Sequence, residues 1–306
     1  MRKWLVRDEE ASFNVSYPGA RSLEEHIRKG IIFIDKPQGP TSHTVDAWIK
    51  KIVGIDKCSH GGTLDPNVSG LIVIALQDST KLMPILLTSK KEYVGIVYLH
   101  KPVAEREIRK ACDDLIGKIK QIPPKKSAVA RREREREIYY LEVLEISGQY
   151  ILIKVGCQAG TYIRRLAEQI GDKVGVSAQL LELRRTKSGP FTEDQCITLQ
   201  DLSDAMASSD ENVIREAIHP LELVGNGIAW VIVGEGAVAN LCNGSPLYVA
   251  GILKASDGIE KEDIVGMFSL AGEMIGFGIA MMTSEEMMKE SKGIAVKTDR
   301  ILKTRK

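Results

Sequence analysis

Cysteine is scarce and placed for no structural task. Cys58, Cys112, Cys157, Cys196 and Cys242 are scattered, odd in number and nowhere spaced Cys-x-x-Cys. That excludes a disulfide framework and a zinc ribbon, and reduced thiols in a cytoplasmic chain are the simple reading. No apolar run approaches the ~20 residues needed to cross a bilayer, so no membrane contact is expected. The opening Met1-Arg2-Lys3-Trp4-Leu5-Val6-Arg7 lacks the apolar core of a signal peptide. No phosphate-binding glycine loop or metal-ligand cluster stands out, so no metal and no nucleotide cofactor is expected. An excess of one charge is also missing. Lys and Arg number 42 against 41 Asp and Glu, a net charge of +1, so composition alone does not indicate nucleic acid.

What is present is charge sorted along the chain. Residues 118–140 hold Lys118, Lys120, Lys125, Lys126, Arg131, Arg132, Arg134 and Arg136 against Glu133, Glu135 and Glu137. Residues 297–306 are again basic, while acids gather at 201–216 and 257–263. A near-neutral chain sorted in this way can still present a basic face. Its 306 residues suggest about two domains, and 43% apolar with 27% charged residues is ordinary for a globular protein.

Taken in order, residues 1–30 read as an arm with a short helix, capped by Ser22 with Glu25 completing a capping box. Residues 30–35 read as a strand. Thr41 and Ser42 cap a helix whose Val45, Trp48, Ile49 and Ile52 form one apolar stripe. Residues 92–100 read as a strand and 104–116 as a helix burying Ile108, Ala111, Cys112 and Leu115. Residues 131–137 alternate in sign, so a strand there has arginine on one face and glutamate on the other. Strands are expected at 138–146 and 150–156, with a short third before Gly160. Helices are expected at 162–174, 199–207 and 213–218. After Gly225 the texture changes to short strands at 228–233, 246–250, 263–270 and 273–282 between glycine turns, the pattern of a small β-barrel.

One stretch differs in kind. Ser59-His60-Gly61-Gly62-Thr63-Leu64-Asp65-Pro66-Asn67-Val68-Ser69-Gly70 leads into the apolar run 71–76, of buried-strand length. The glycines permit positive φ and close backbone approach. Pro66 fixes its own φ and drives Asp65 out of the α region. A stiff loop presenting one carboxylate beside a buried strand is expected. Local chemistry leaves a plainer reading open, an Asx-type turn before a strand.

Asp35-Lys36-Pro37-Gln38-Gly39, the His60-to-Pro66 run with Gly70, Gly160-Thr161-Tyr162-Ile163-Arg164, and Leu183-Arg184-Arg185-Thr186-Lys187-Ser188-Gly189-Pro190-Phe191 occur in that order. Together they resemble the motifs of the TruB/dyskerin family of RNA pseudouridine synthases, and look closest to its archaeal dyskerin branch. The resemblance implies an α/β (α+β) catalytic domain with a mixed, largely antiparallel sheet, plus a C-terminal PUA β-barrel. The implied division is an N-terminal arm at 1–29 packed on the PUA domain, a catalytic domain at 30–222, the PUA domain at 223–300 and a basic tail at 301–306.

Pseudouridine formation breaks the N-glycosidic bond, turns the uracil and rejoins it through carbon. Only protons exchange with solvent, so the chemistry requires no metal, redox or nucleotide cofactor. By resemblance Asp65 is the catalytic carboxylate. Covalent attack by Asp65 and charge stabilisation with assisted elimination are both compatible with the residues. Arg164 matches the arginine that pairs with that carboxylate; otherwise it is a phosphate contact or a surface charge. Tyr93 matches the ring that stacks on the uracil and joins in proton transfer; otherwise it is a core aromatic. Tyr162 and Leu183 line the same pocket, and His60 is an RNA-binding candidate. Lys36 and Pro37 brace the loop. Arg184, Arg185 and Lys187, with Lys125 and Lys126, are candidates for the RNA backbone. The PUA segment and the basic stretch resemble the guide-dependent branch. Its implied partners are an H/ACA guide RNA and target RNA, a Gar-type protein, a small zinc-ribbon-like Nop protein and a kink-turn-binding ribosomal protein.

Overall fold

The structure, a computed structural model, describes residues 4–6, 21–123 and 132–303. The chain begins with β1 (Trp4–Val6), α1 (Leu23–Arg28), β2 (Gly30–Lys36), α2 (Ser42–Val53), β3 (Cys58–His60) and β4 (Val68–Leu76). It continues through α3 (Met83–Thr88), β5 (Lys91–Leu99), α4 (Glu105–Asp113), β6 (Gly117–Gln121), β7 (Arg134–Ser147) and β8 (Tyr150–Cys157). Then come α5 (Ile163–Lys173), β9 (Ala178–Ser188), β10 (Phe191–Thr192), α6 (Leu199–Ser208), α7 (Glu211–Ala217) and β11 (His219–Pro220). The C-terminal part holds β12 (Ala229–Val233), α8 (Glu235–Cys242), β13 (Leu247–Tyr248), β14 (Ile252–Ser256), β15 (Ile264–Ser269), β16 (Met274–Ala280), α9 (Ser284–Lys289) and β17 (Ile294–Ile301).

The first sheet has ten strands in the order β11-β2-β4-β9-β5-β8-β7-β6, with β3 beside β4 and β10 beside β9. Its ladders are antiparallel except β4 on β9, so the expected mixed, largely antiparallel sheet is the one found. Strands β2 and β4 read as unbroken apolar runs because both faces are covered. On one face Ile32, Ile34, Ile72 and Ile74 pack with Val45 and Ile49 of α2. On the other, Ile31, Phe33, Leu71 and Val73 share a core with Phe268, Met274, Phe277 and Leu302 of the C-terminal part.

That part is a seven-stranded sheet, ordered β1-β14-β12-β15-β16-β17-β13, around Val231, Val233, Leu241, Ile252, Met267, Ile275 and Val296. Strand β1 lies antiparallel along β14, so the start of the chain completes the C-terminal sheet. Charge reinforces the apolar junction between the two parts. Arg21 forks onto Glu222, while Lys29 Nζ and Lys303 Nζ reach Glu273 at 2.9 and 2.7 Å. Among the described residues no helix is long and apolar enough to cross a membrane.

Several local expectations need correction. Ser22 caps α1, but the Glu25 carboxylate pairs with Lys29 instead of closing a capping box. Trp48 points out of α2 and is 44% exposed, because the stripe that meets the sheet is Val45, Ile49 and Val53. The short strand expected before Gly160 is a turn, with Thr161 N donating to Gln158 O. Strands β14 and β17 were absent from the sequence reading, since each interleaves lysine and hydroxyl residues with its apolar positions. In the segment expected as a basic tail, Leu302 is buried and Lys303 is tied to Glu273.

Candidate active site

The loop between β3 and β4 is held by its backbone and turns one carboxylate outward, among the exposed Thr63, Pro66 and Asn67. Gly61 N donates to Val73 O, Gly39 N to Pro66 O, and Val68 N to Asp65 O. The Ser42 hydroxyl, at the start of α2, both donates to Leu64 O and accepts from Leu64 N. Leu64 is buried, which anchors the loop from inside. Lys36, fully buried at the end of β2, donates through Nζ to Pro37 O at 2.8 Å and Val68 O at 2.9 Å, with Pro66 O at 3.4 Å. A lysine among carbonyls on both sides of a loop acts as a rivet. Asp65 stands on the outer side, its side chain 58% exposed.

Arg164 comes to Asp65 from the first turn of α5, with Nη2 2.6 Å from Oδ2. The helix start is fixed from another strand. Gln121, buried at the end of β6, accepts from Tyr162 N at 2.9 Å and donates to Tyr162 O at 3.2 Å. Nothing local in the sequence marks Gln121, because its partner is 41 residues away. Tyr162 caps α5 and is half-buried.

Beneath the loop lies a row of residues that crosses the sheet. Lys36 on β2 pairs with Gly70 on β4, Gly70 with Arg185 on β9, and Arg185 with Tyr93 on β5. Gly70 has φ +99°, and a Cβ there would meet Arg185 O at 2.4 Å, so no other residue fits between these strands. Tyr93 is buried with its phenol against Arg185; burial pushes its pKa up, and the guanidinium opposes that shift. Leu183 is buried beside Val68. Lys91, two residues from Tyr93 and on the same face, is also buried and donates to Leu86 O, Ser89 O and Ser89 Oγ. Burial, with Arg185 second, pushes its pKa down to about 7.

Three of the expected site residues are engaged by partners within the fold. Arg185 is 1% exposed, so it is no phosphate contact; its Nε donates to Leu71 O and its Nη2 to Gly62 O. Arg184 points to the other face and is forked onto Asp35, with Nε on Glu193. His60 is buried, its Nδ1 2.7 Å from Asp46 Oδ2 and its Nε2 3.1 Å from Thr63 Oγ1, so it braces the loop from below. Lys187 stays half-exposed, 3.3 Å from Glu92. Lys125 and Lys126 lie outside the described residues. His43, Asp46 and His60 bring ligand-type atoms within 4.8 Å of one another, a grouping the sequence reading did not find. His43 is exposed there, and Asp46 serves chiefly as the partner of His60.

Comparison with known proteins agrees with this geometry. Residues 50–163 match the profile of the TruB family pseudouridylate synthase N-terminal domain, and 164–224 that of the tRNA pseudouridylate synthase B C-terminal domain. Residues 229–302 match the PUA domain and 6–46 the DKCLD (NUC011) domain. A probable tRNA pseudouridine synthase B of Methanosarcina barkeri is 45% identical over 305 residues, covering 97% of this chain and 90% of the relative. The crystal structure of a Cbf5-Nop10-Gar1 complex contains a chain with TM-score 0.94 and 45% identity, matched over 100% of this chain and 95% of the other. The structure of an H/ACA RNP bound to a substrate RNA containing 2'-deoxyuridine gives TM-score 0.92 at 43% identity, covering 100% and 96%.

Proposed function

The chain belongs to the TruB family of RNA pseudouridine synthases, and from that premise we propose that it isomerises uridine in RNA as the catalytic subunit of an H/ACA guide-RNA particle, with Asp65 as the reacting carboxylate. The observation that carries the assignment is the Asp65–Arg164 pair, a single outward carboxylate on a backbone-clamped loop. A target uridine leaves its stack to reach such a group. Arg164 keeps a positive charge beside Asp65 as RNA excludes water, and its planar fork fixes the carboxylate's orientation. Tyr93 and Leu183 form the wall behind the flipped base, with Tyr162 at the rim. In the isomerisation the C1'–N1 bond breaks, a C1'–C5 bond forms, N1 takes up a proton and the C5 proton is lost to solvent. Lys187 remains a candidate for the RNA backbone.

The proposed working division is a catalytic part at 30–222 and a PUA part at 223–300, with the arm on the latter. Sequence specificity then comes from the guide by base pairing, while the protein reads backbone and shape. The proposed partners are guide and target RNA, Nop-type and Gar-type proteins like those in the solved relatives, and a kink-turn-binding ribosomal protein, in the cytoplasm.

The test follows tritium released from C5-labelled uridine in a short target RNA, with partner proteins, with and without a matching guide. Guide-dependent release that disappears in Asp65→Asn, while RNA affinity stays within about twofold, is the expected result. Equal release without guide would replace the particle role by direct modification of tRNA, the activity in the relatives' names. Turnover near wild type in Asp65→Asn would remove Asp65 from the chemistry.

A further inference from the structure

Two buried cations, Lys36 and Arg185, lie under the Asp65 loop, joined by Lys91 as pH falls below about 7, and none of the three has a carboxylate partner among the described residues. Lys36, Arg185 and Lys91 are all buried, and the groups that accept from them are main-chain carbonyls, one serine hydroxyl and the Tyr93 phenol. Burying charge without a counter-ion is expensive, and proteins retain it where something is gained. The acids nearby are engaged elsewhere. Asp35 holds Arg184, Asp46 holds His60, and Glu92, on the opposite face of β5, takes Tyr140, Thr186 and Lys187. What remains above the three cations is Asp65.

Their placement is ordered. Lys36, Arg185 and Tyr93 occupy one row across the sheet, and residues in such a row share a face. Lys91 joins them from β5. Arg185 Nη1 and Lys91 Cε both lie 3.5 Å from where a Gly62 Cβ would sit, directly under the loop. Arg185 also accounts for Gly62 O, three residues before Asp65. We propose that Lys36, Lys91 and Arg185 are positioning residues, a buried cationic floor that keeps Asp65 ionised and aimed once RNA covers the cleft. This rests on the reading of Asp65 as the catalytic carboxylate.

The physical need arises on binding. In the unbound protein water reaches both Asp65 and Arg164. A bound target removes that water and brings phosphate oxygens close, both of which favour the protonated acid. Charge already buried in the fold opposes this without reorganising. Arg164 from α5 pairs with Asp65, and Lys36 from β2 and Tyr93 from β5 feel its charge; Arg185 from β9 and Lys91 from β5 lie under Gly62 of the same loop, with His60 and Asp46 beside Thr63. The charge of Asp65 supports protonation of Lys36 against its burial, which ties the two groups electrostatically.

The experiment measures single-turnover isomerisation at saturating target RNA, in the assembled particle, from about pH 5 to about pH 8. Lys91→Met is expected to move the acid limb up by about one pH unit, a ~tenfold loss on the limb, with the plateau within about threefold; Lys36→Met, which also loses its bonds to the loop, is expected to move the limb the same way with a lower plateau. Arg185→Lys keeps the charge and is expected to leave the limb in place. If Lys36→Met does not fold, Lys91→Met carries the test, since methionine fills the same volume. A uniform loss at every pH with an unmoved limb would overturn the floor and leave a purely structural role. Asp65→Asn is measured alongside. Retained turnover there defeats the reading of Asp65 itself, whereas loss there with an unmoved limb defeats only the floor.

Discussion

Replacing Arg164 by methionine removes a charge and keeps most of the side chain's bulk. The Nη2···Oδ2 distance is 2.6 Å, and both side chains are about half exposed, 51% and 58%. Two unit charges about 4 Å apart attract by ~1 kcal/mol in water and ~4 kcal/mol at an effective dielectric of 20. In the unbound protein the first figure is the ceiling, because exposed pairs are worth about 0–1 kcal/mol. The melting temperature of Arg164→Met should therefore fall by no more than about 4 °C. Under RNA the second figure applies. The difference, ~3 kcal/mol, predicts a ~150-fold slower single-turnover rate. Arg164→Lys keeps charge without the fork and should recover part of the loss. Thermal melts of the free protein and quench-flow turnover in the particle give the two numbers. A melting temperature lowered by more than about 8 °C would show that the pair holds the fold. A rate within about threefold of wild type would show that dehydration does not strengthen it.

Two stability predictions concern other parts of the molecule. Glu273 is 1% exposed and answers Lys29 and Lys303; Glu273→Gln should cost ~2 kcal/mol in urea unfolding by removing the buried carboxylate that both lysines share, with Lys29 keeping Glu25. Burial alone would raise the pKa of Glu273, but the two lysines outweigh it and hold it below the usual carboxylate range. Its contribution is then complete above the unfolded pKa of about 4.3 and fades as pH falls through the lower folded value. A urea midpoint insensitive to that acid range in wild type would contradict this. Gly70→Ala places a methyl 2.4 Å from Arg185 O at φ +99° and should destabilise by at least ~3 kcal/mol, seen as loss of soluble protein. Wild-type melting in that variant would mean that β4 and β9 are less closely spaced than described.

Much of the site was legible because its motifs are local. The Asp65 loop, the Arg164 helix start and the β9 cluster each carry their chemistry within a few residues. What was not legible depends on which face a strand turns. Arg184 and Arg185 are adjacent, and alternation alone sends one outward and one inward. Both read as surface charge, and only the pairing with Gly70 and Tyr93 shows that Arg185 goes in. Trp48 fits a helical stripe as well as Val53 does, and the edge of the sheet decides between them. Gln121 and the Glu273 clamp join residues far apart in the chain, for which sequence spacing holds no signal. Strands β2 and β4 were the easiest to read, since a run buried on both faces announces itself by composition.

The pairing of β1 with β14 carries a consequence for how the protein is made. Residues 4–6 are synthesised roughly 250 residues ahead of their partners at 254–256. At about 5–20 residues per second, the arm waits on the order of ten to fifty seconds for the strand it completes. Until it docks, β14 presents an unpaired row of backbone donors and acceptors, a template for another chain. Strand β1 thus acts as the latch of a sheet made long after it. Removing those few residues should reveal itself first as intermolecular association through the C-terminal sheet, with the catalytic sheet still intact.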